Sequence, residues 1–290
     1  MLLTGKDGKT CRICEEWKLF EEYRKRSNGK RRTECKSCER EQSLQRLRKR
    51  EKQQVFTTLV IPDIQSPFHH KDTIPFLRAV KDKYAPDEVV SAGDELDCYW
   101  LNAYGTDPDH DNPEGEYAKA YDFWQDMFIL FPNGVGVHSN HLKGRLERKR
   151  KQARIPSHFL KSIEQIIGAP EGWKWVDEHE TQGTIVRHGH NDGKSAKGNL
   201  EKINHFRMFN NEKPLNLLLG HFHTEIGSKD ILMGQNVAWF GFCGSLIDRH
   251  AHAFNYSNKP PALGCVLIRD GRLFPVIMKL GSDDRWVGDL

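Results

Sequence analysis

The chain has 290 residues, 37% hydrophobic and 29% charged, with a formal net charge of +4. That length accommodates one large domain with a small appendage. It holds no run of eighteen apolar residues, and its opening MLLTGKDGKT lacks the apolar stretch of a signal peptide. The expectation is a soluble, cytoplasmic protein with no membrane partner.

The charge is unevenly placed. Residues 1–55 carry 17 Lys and Arg against 9 Asp and Glu, an excess of eight positive charges, while the remainder carries 27 against 31. A basic piece joined to a mildly acidic body suggests an arm that meets polyanions. Within it, Cys11-Arg12-Ile13-Cys14 and Cys35-Lys36-Ser37-Cys38 are separated by 20 residues, the spacing of a tetrahedral zinc site. Cys11, Cys14, Cys35 and Cys38 would leave no open position on the ion, so this zinc is expected to be structural. Residues 1–42 form the expected module, with Trp17, Leu19, Phe20 and Tyr23 as its minimal core and metal binding supplying the missing folding free energy. Residues 39–54 contain no Gly or Pro and are expected to be a polar, basic helix, with 43–54 as the linker to the next domain. The basic residues Arg24, Lys25, Arg26, Lys30, Arg31 and Arg32 and this helix are either a solvated surface or a grip on nucleic-acid phosphates. The module resembles the small zinc modules at the amino end of phage-type HNH nucleases. No His-Asn-His constellation follows, so that resemblance implies binding alone.

The next domain, expected over 55–281, begins with the apolar run Val55–Ile61, a buried strand ending at Pro62-Asp63. Ile74, Phe76, Leu77, Val80 and Tyr84 have helical spacing. Glu88–Ala92 predicts a second strand, ending at Gly93-Asp94, and 115–130 a helix. Gly134–His138 predicts a third strand, ending near Asn140-His141, and helical stretches fill 141–168. Thr184–Arg187 leads into His188, and Leu215–Leu219 into Gly220-His221-Phe222-His223. Val237–Phe242, Gly264–Arg269 and Leu273–Leu280 predict further strands, and 282–290 a polar tail. Strands that alternate first with helices and later with turns imply an α/β fold, a layered sandwich of mixed β-sheets flanked by helices, plus the small amino-terminal module. Loops at the strand ends then carry the function.

The residues at those ends are metal-ligand types. Asp63 and Asp94 are hard carboxylates, one of which can bridge two ions. Asn140 offers a neutral amide oxygen, and His188, His221 and His223 offer imidazoles. Mixed oxygen and nitrogen ligands suit Mn, Fe, Ni or Zn better than Ca or Mg.

The order Asp63-x-Gln65, Gly93-Asp94-x-x-Asp97, Asn140-His141, His188 and Gly220-His221-x-His223 resembles the calcineurin-like metallophosphoesterases. The resemblance spans about residues 55–280. It implies one metal held by Asp63, Gln65, Asp94 and His223, and a second held by Asp94, Asn140, His188 and His221, with Asp94 bridging. It implies attack on phosphorus by a hydroxide bridging the two ions. His141 would face the scissile phosphate, and Asp97 would orient His141 or cap a turn. The compact length with a zinc module is similar in style to phage-encoded members, which would place the chain in the host cytoplasm.

The pattern departs at two places. Gln65 stands where the family has histidine, a weaker donor that implies a labile first site. Leu142 stands where the Asn-His block usually has an acidic residue, and Ser139 replaces a glycine. His69, His70, His138 and His190 match no ligand position and are expected to make local hydrogen bonds, with His190 near enough to touch substrate. Cys98, Cys243 and Cys265 are expected to be buried free thiols, since an odd cysteine total argues against a disulfide framework.

Two features favour nucleic acid among the phosphate esters of this family: the basic module, and residues 142–154, where seven Lys or Arg face a single Glu147. Arg145 and Arg148 are the candidates for a substrate clamp. The leading expectation is a metal-dependent phosphodiesterase, a probable nuclease of DNA or RNA. The alternatives are a small-molecule or phosphoprotein phosphatase with a partner-binding module, and a catalytically impaired nucleic-acid-binding protein.

Overall fold

A computed structural model describes residues 7–27, 29–51, 55–102, 106–110, 112–190, 195–254 and 258–290. The chain divides into two compact units, Met1–Val55 and Phe56–Leu290.

In the smaller unit, β1 (Gly8–Thr10) pairs antiparallel with β2 (Trp17–Leu19). The first cysteine knuckle is their turn, closed by Cys11 N–H to Glu16 O at 2.9 Å. After a short bridge between Lys25 and Arg31, the second knuckle runs directly into α1 (Lys36–Glu51). The helix therefore crosses residue 42 without a break, and positions 52–54 of the expected linker lie outside the described residues. The expected apolar core is corrected. Only Tyr23 of the four aromatic and aliphatic candidates is buried, and it packs with the cysteines. Trp17 and Leu19 remain 43% and 37% exposed, because three-residue strands give no second layer to cover them.

The larger unit alternates at first. β3 (Thr57–Ile61), α2 (Thr73–Tyr84), β4 (Glu88–Ser91), α3 (Pro113–Leu130) and β5 (Gly134–Val137) follow in turn. Then come α4 (Arg145–Gln152), α5 (Ile163–Ile167), β6 (Trp173–Val176), β7 (His179–Thr181), β8 (Thr184–Arg187) and α6 (Ala196–Phe209). The chain closes with β9 (Asn216–Leu219), β10 (Ile226–Met233), β11 (Asn236–Cys243), β12 (Gly264–Arg269) and β13 (Arg272–Ile277). One sheet has the order β13-β12-β3-β4-β5-β6 and the other β10-β11-β9-β8-β7. Both are mixed: β3 through β6 are parallel, as are β8, β9 and β11, with antiparallel strands at the margins.

The two-residue period of the strands builds the layers. Val60, Val90, Val137, Val266 and Ile268 of the first sheet meet Val186, Leu218, Trp239 and Cys243 of the second. On the outer face of the first sheet, Leu59 and Ile61 pack with Phe76, Leu77 and Val80 of α2 and Trp124 and Met127 of α3. Outside the second, Ile185, Leu217 and Leu219 pack with Ala196 and Leu200 of α6. The result is a four-layer sandwich, helices–sheet–sheet–helix, as an α/β layered reading requires. Truncating a fully buried residue of these layers, such as Leu59, costs about 2–5 kcal/mol.

Residues 282–290 fold back onto α2. Arg285 Nε donates to Asp72 at 2.8 Å, and Trp286 sets its ring edge-on to Phe76 at 5.7 Å. Cys98, Cys243 and Cys265 are buried free thiols, and burial pushes the Cys98 and Cys243 thiols far up. Among the described residues no helix is long and apolar enough to cross a membrane.

Candidate metal centre

Parallel β3, β4 and β5 of one sheet and β8 and β9 of the other end at the same edge of the sandwich. The candidate residues follow those ends within a few positions: Asp63 after β3, Asp94 after β4, Asn140 after β5, His188 after β8, and His221 and His223 after β9. Two groups of potential ligand atoms result, Asp94 with His188 and His221, and Asp63 with Asp94 and His223. Within each group the atoms lie within 4.8 Å of one another, and Asp94 belongs to both.

Asp63 Oδ2 lies 2.9 Å from His223 Nε2 and accepts the His221 backbone N–H at 2.7 Å. Asp94 Oδ2 lies 3.3 Å from His188 Nε2. Asn140 Oδ1 is 2.7 Å from the same nitrogen, which places the amide oxygen with the second group. His188 Nδ1 donates to the Ala92 carbonyl at 2.9 Å, so Nε2 is the nitrogen turned toward the centre. Gln65 is fully buried, with its amide nitrogen 3.4 Å from both Asp94 and His223. Rotating that amide by half a turn exchanges its two ends and directs Oε1 at the first group.

The backbone is bent to make this possible. Gln65, Asp94 and His221 all sit at positive φ (48°, 48° and 62°), a conformation that costs non-glycine residues about 1–3 kcal/mol each and collects at functional sites. Gly93 has φ 107°, and a Cβ there would lie 2.6 Å from His188 Nδ1. A Cβ on Gly220 would meet Asp63 Oδ1 at 2.8 Å. Both glycines are cradle positions, where a side chain would collide with the centre. Asn140–Gly144 forms a π-helical turn ahead of α4, and this wider turn carries Asn140 and His141.

The charged groups of the centre act strongly on one another. Burial alone would raise the Asp94 carboxyl, but the imidazoles of His141 and His188 outweigh it and hold the group well below the usual carboxylate range. Burial opposes the charge on His188, yet Asp94 and Asp63 push it up to about 9. Burial and neighbouring His188 lower His221 to about 4, so its imidazole is neutral at pH 7. Asp63 Oδ1, Gln65 Oε1 and His221 Nδ1 are buried without a hydrogen-bond partner among the described residues. Buried lone pairs of this kind are costly unless something accepts them, and divalent ions in the two groups would do so.

His141 is 7% exposed. Its Nδ1 is 3.0 Å from Asp97 Oδ1, and its Nε2 faces Gln65 at 3.3 Å and Arg145 at 3.2 Å. Burial opposes protonation of His141, but Asp94 and Asp97 raise it overall. Arg145 and Arg148 do not project as a free clamp. Arg145 donates to the carbonyls of Asp97 at 2.6 Å and Cys98 at 3.0 Å, and Arg148 donates to Leu101 O at 2.9 Å. Their residue types pointed to phosphate, but the two arginines instead tie the carbonyls of the 97–101 loop to α4. Only one face of Arg145 reaches the centre, beside His141.

Several other residues settle differently from the ligands. Leu142 is buried in the helix-side core, so that position supports packing. The His69 ring lies against Phe123, centroids 3.8 Å apart and planes tilted by 35°, and burial lowers it to about 4. His70 bonds Asp284 O at 3.0 Å, and the His190 ring lies 5.4 Å from that of His188. Glu95, adjacent to Asp94, is fully buried and accepts Trp175 Nε1 at 2.7 Å, while Trp124 Nε1 donates to its carbonyl at 3.1 Å. Burial pushes Glu95 up to about 7. The Trp-Lys-Trp-Val alternation of β6 was the available signal for this anchor.

In the smaller unit the four thiols lie within 4.8 Å of one another, with no disulfide among them. Backbone N–H groups of Ile13 and Cys35 point at Cys11 Sγ at 3.4 and 3.3 Å. Although burial opposes it, backbone N–H groups of Cys14, Cys35 and Ile13 together lower Cys11 to about 6. That set fits one tetrahedral thiophilic ion, with zinc the ordinary occupant.

Fold and site together define a mixed α/β sandwich with a two-part carboxylate–imidazole centre at its strand ends and a separate four-cysteine cluster. No family model matches the sequence, and no curated protein does. Among solved structures the chain is similar to Vacuolar Protein Sorting 29 from Cryptosporidium parvum, at TM-score 0.37 and 12% identity, over 77% of this chain and 96% of that one.

Proposed function

We propose that this chain is a two-metal phosphoesterase of the calcineurin-like type, acting as a phosphodiesterase on nucleic acid. The observation that carries the reading is the sharing of Asp94 between two adjacent ligand groups. Asp63, Gln65, Asp94 and His223 would hold one ion, and Asp94, Asn140, His188 and His221 the other. Bound there, the pair would supply charge neutralisation and a water acidified enough to attack phosphorus.

The chain's own groups do the rest. His141, held through Nδ1 by Asp97, presents Nε2 toward the space beside Asp94 and can give a proton to the leaving oxygen. The outer edge of Arg145 stands next to it as a donor for a non-bridging phosphoryl oxygen. Exposed Lys149, Lys151 and Arg154 on and after α4, with the basic smaller unit, favour a polyanionic substrate. Mn, Fe, Ni or Zn suit the ligand set. Incubation of single- and double-stranded DNA and RNA with each metal tests the reading. Cleavage that disappears in His141→Ala and Asp94→Ala supports it, and the absence of turnover on every ester sinks it.

A second reading, a nucleic-acid-binding protein with an impaired centre, draws on Gln65, whose amide replaces an imidazole. Turnover restored only in Gln65→His would favour it.

A further inference from the structure

The two arginines Arg24 and Arg32 face each other across a small antiparallel turn, joined by Arg32 N–H to Arg24 O at 2.9 Å. Between them stands Glu39 of α1, only 11% exposed at its side chain, 3.4 Å from Arg24 Nε and 3.3 Å from Arg32 Nη1. Lys36 and Arg40, one helical turn apart on α1, line the same concave surface, which encloses about 700 Å³. Glu39 lies in the first turn after Cys35, with its N–H bonded to Cys35 O at 3.0 Å. The thiol cluster therefore sets where this carboxylate stands, and the carboxylate sets where the guanidinium groups stand.

We propose that this hollow is a phosphate clamp for a nucleic-acid strand. Four cations lining one hollow repel one another, and the largely buried Glu39 carboxylate between two of them keeps both in fixed orientation. Glu39 engages Arg24 through Nε and Arg32 through Nη1. The Arg24 and Arg32 side chains are 66% and 50% exposed. Such paired planar forks match the oxygens of a phosphodiester in a way that point charges do not. The net charge of the hollow is positive, since Arg24, Arg32, Lys36 and Arg40 outnumber Glu34 and Glu39. The clamp deepens the nucleic-acid reading above, but it concerns binding and does not depend on turnover.

Anisotropy of a fluorescein-labelled oligonucleotide with the zinc-loaded full chain, without added active-site metal and over a series of NaCl concentrations, tests it. Arg24→Ala/Arg32→Ala is expected to weaken binding about tenfold or more and to flatten the log–log salt slope by about 1–2. Lys197→Ala/Lys202→Ala on α6 removes the same charge and should leave the slope within error. Arg24→Lys/Arg32→Lys keeps charge and loses the forks, and should still weaken binding several-fold. Zinc analysis at one ion per chain shows that each variant retains the module. Native binding that is absent, or equal losses in the clamp and α6 pairs, overturns the proposal. Full affinity in the lysine pair does so too. Loss of cleavage with intact clamp-dependent binding would instead overturn only the catalytic reading.

Discussion

His188 holds Asp94 at 3.3 Å through Nε2 while its Nδ1 is committed to Ala92 O at 2.9 Å. A histidine from one sheet is thereby held in one ring orientation by the backbone of the other sheet, with Nε2 directed at the carboxylate that both ligand groups share. The centre depends on how the two sheets stack, and on that shared carboxylate most of all.

Removing Asp94 should therefore empty both positions. Asp94→Ala is expected to reduce bound metal to the one ion of the cysteine cluster and to lower phosphodiesterase turnover by about 10³-fold or more. Elemental analysis beside a turnover assay checks this. Retention of a second tightly bound ion would refute the sharing.

Gln65 gives a graded test. Gln65→His replaces an amide oxygen by imidazole and should lower the Mn²⁺ concentration for half-activation by about tenfold. Equal activation curves for the native and variant chains would show that the amide does not limit the first position.

At Gly93 the geometry is unforgiving. Gly93→Ala sets a Cβ 2.6 Å from His188 Nδ1 and 2.9 Å from Ser139 Cβ, at φ 107°. A loss of about 2–4 kcal/mol in stability is expected, together with weakened metal binding. A thermal melt and a metal titration together would detect it, and an unperturbed variant would disprove the close approach.

Glu88 links the sheets at another place. Its carboxylate receives His179 Nε2 at 2.8 Å, Thr181 Oγ1 at 2.6 Å and Thr58 Oγ1 at 2.9 Å. Burial raises the group, but these donors outweigh it and hold it down to about 2 from 4.5. A depressed carboxyl stabilises the fold fully above about pH 4.5, and that contribution is lost as pH falls toward 2. With the side chain 24% exposed, Glu88→Gln should cost on the order of 2 kcal/mol at neutral pH. Urea midpoints of the two chains should converge near pH 2; a constant gap would refute the ion's role.

Strand ends were legible wherever a buried strand met a ligand residue. β3, β4, β5, β8 and β9 all begin or end within a residue or two of their apolar runs, because strands buried on both faces read as continuous apolar stretches. β10 was not legible. Ile226–Met233 is largely exposed and polar at its centre, and its strand geometry comes from pairing with β11 rather than from its own pattern. α6 escaped notice for a related reason: its apolar stripe is short, with Ala196, Leu200 and Ile203 facing the second sheet.

The sequence by itself determined the ligand types, their order and the four-cysteine spacing, since each is a local property of a turn that follows a strand or closes a knuckle. Only the tertiary structure brought Asp94 within 4.8 Å of the other members of both groups and set Gln65 among Asp94, His141 and His223. It also decided that Arg145 and Arg148 brace a loop, and that Glu39 spreads two arginines. Those outcomes depend on distances between segments far apart in the chain, and packing between layers sets such distances.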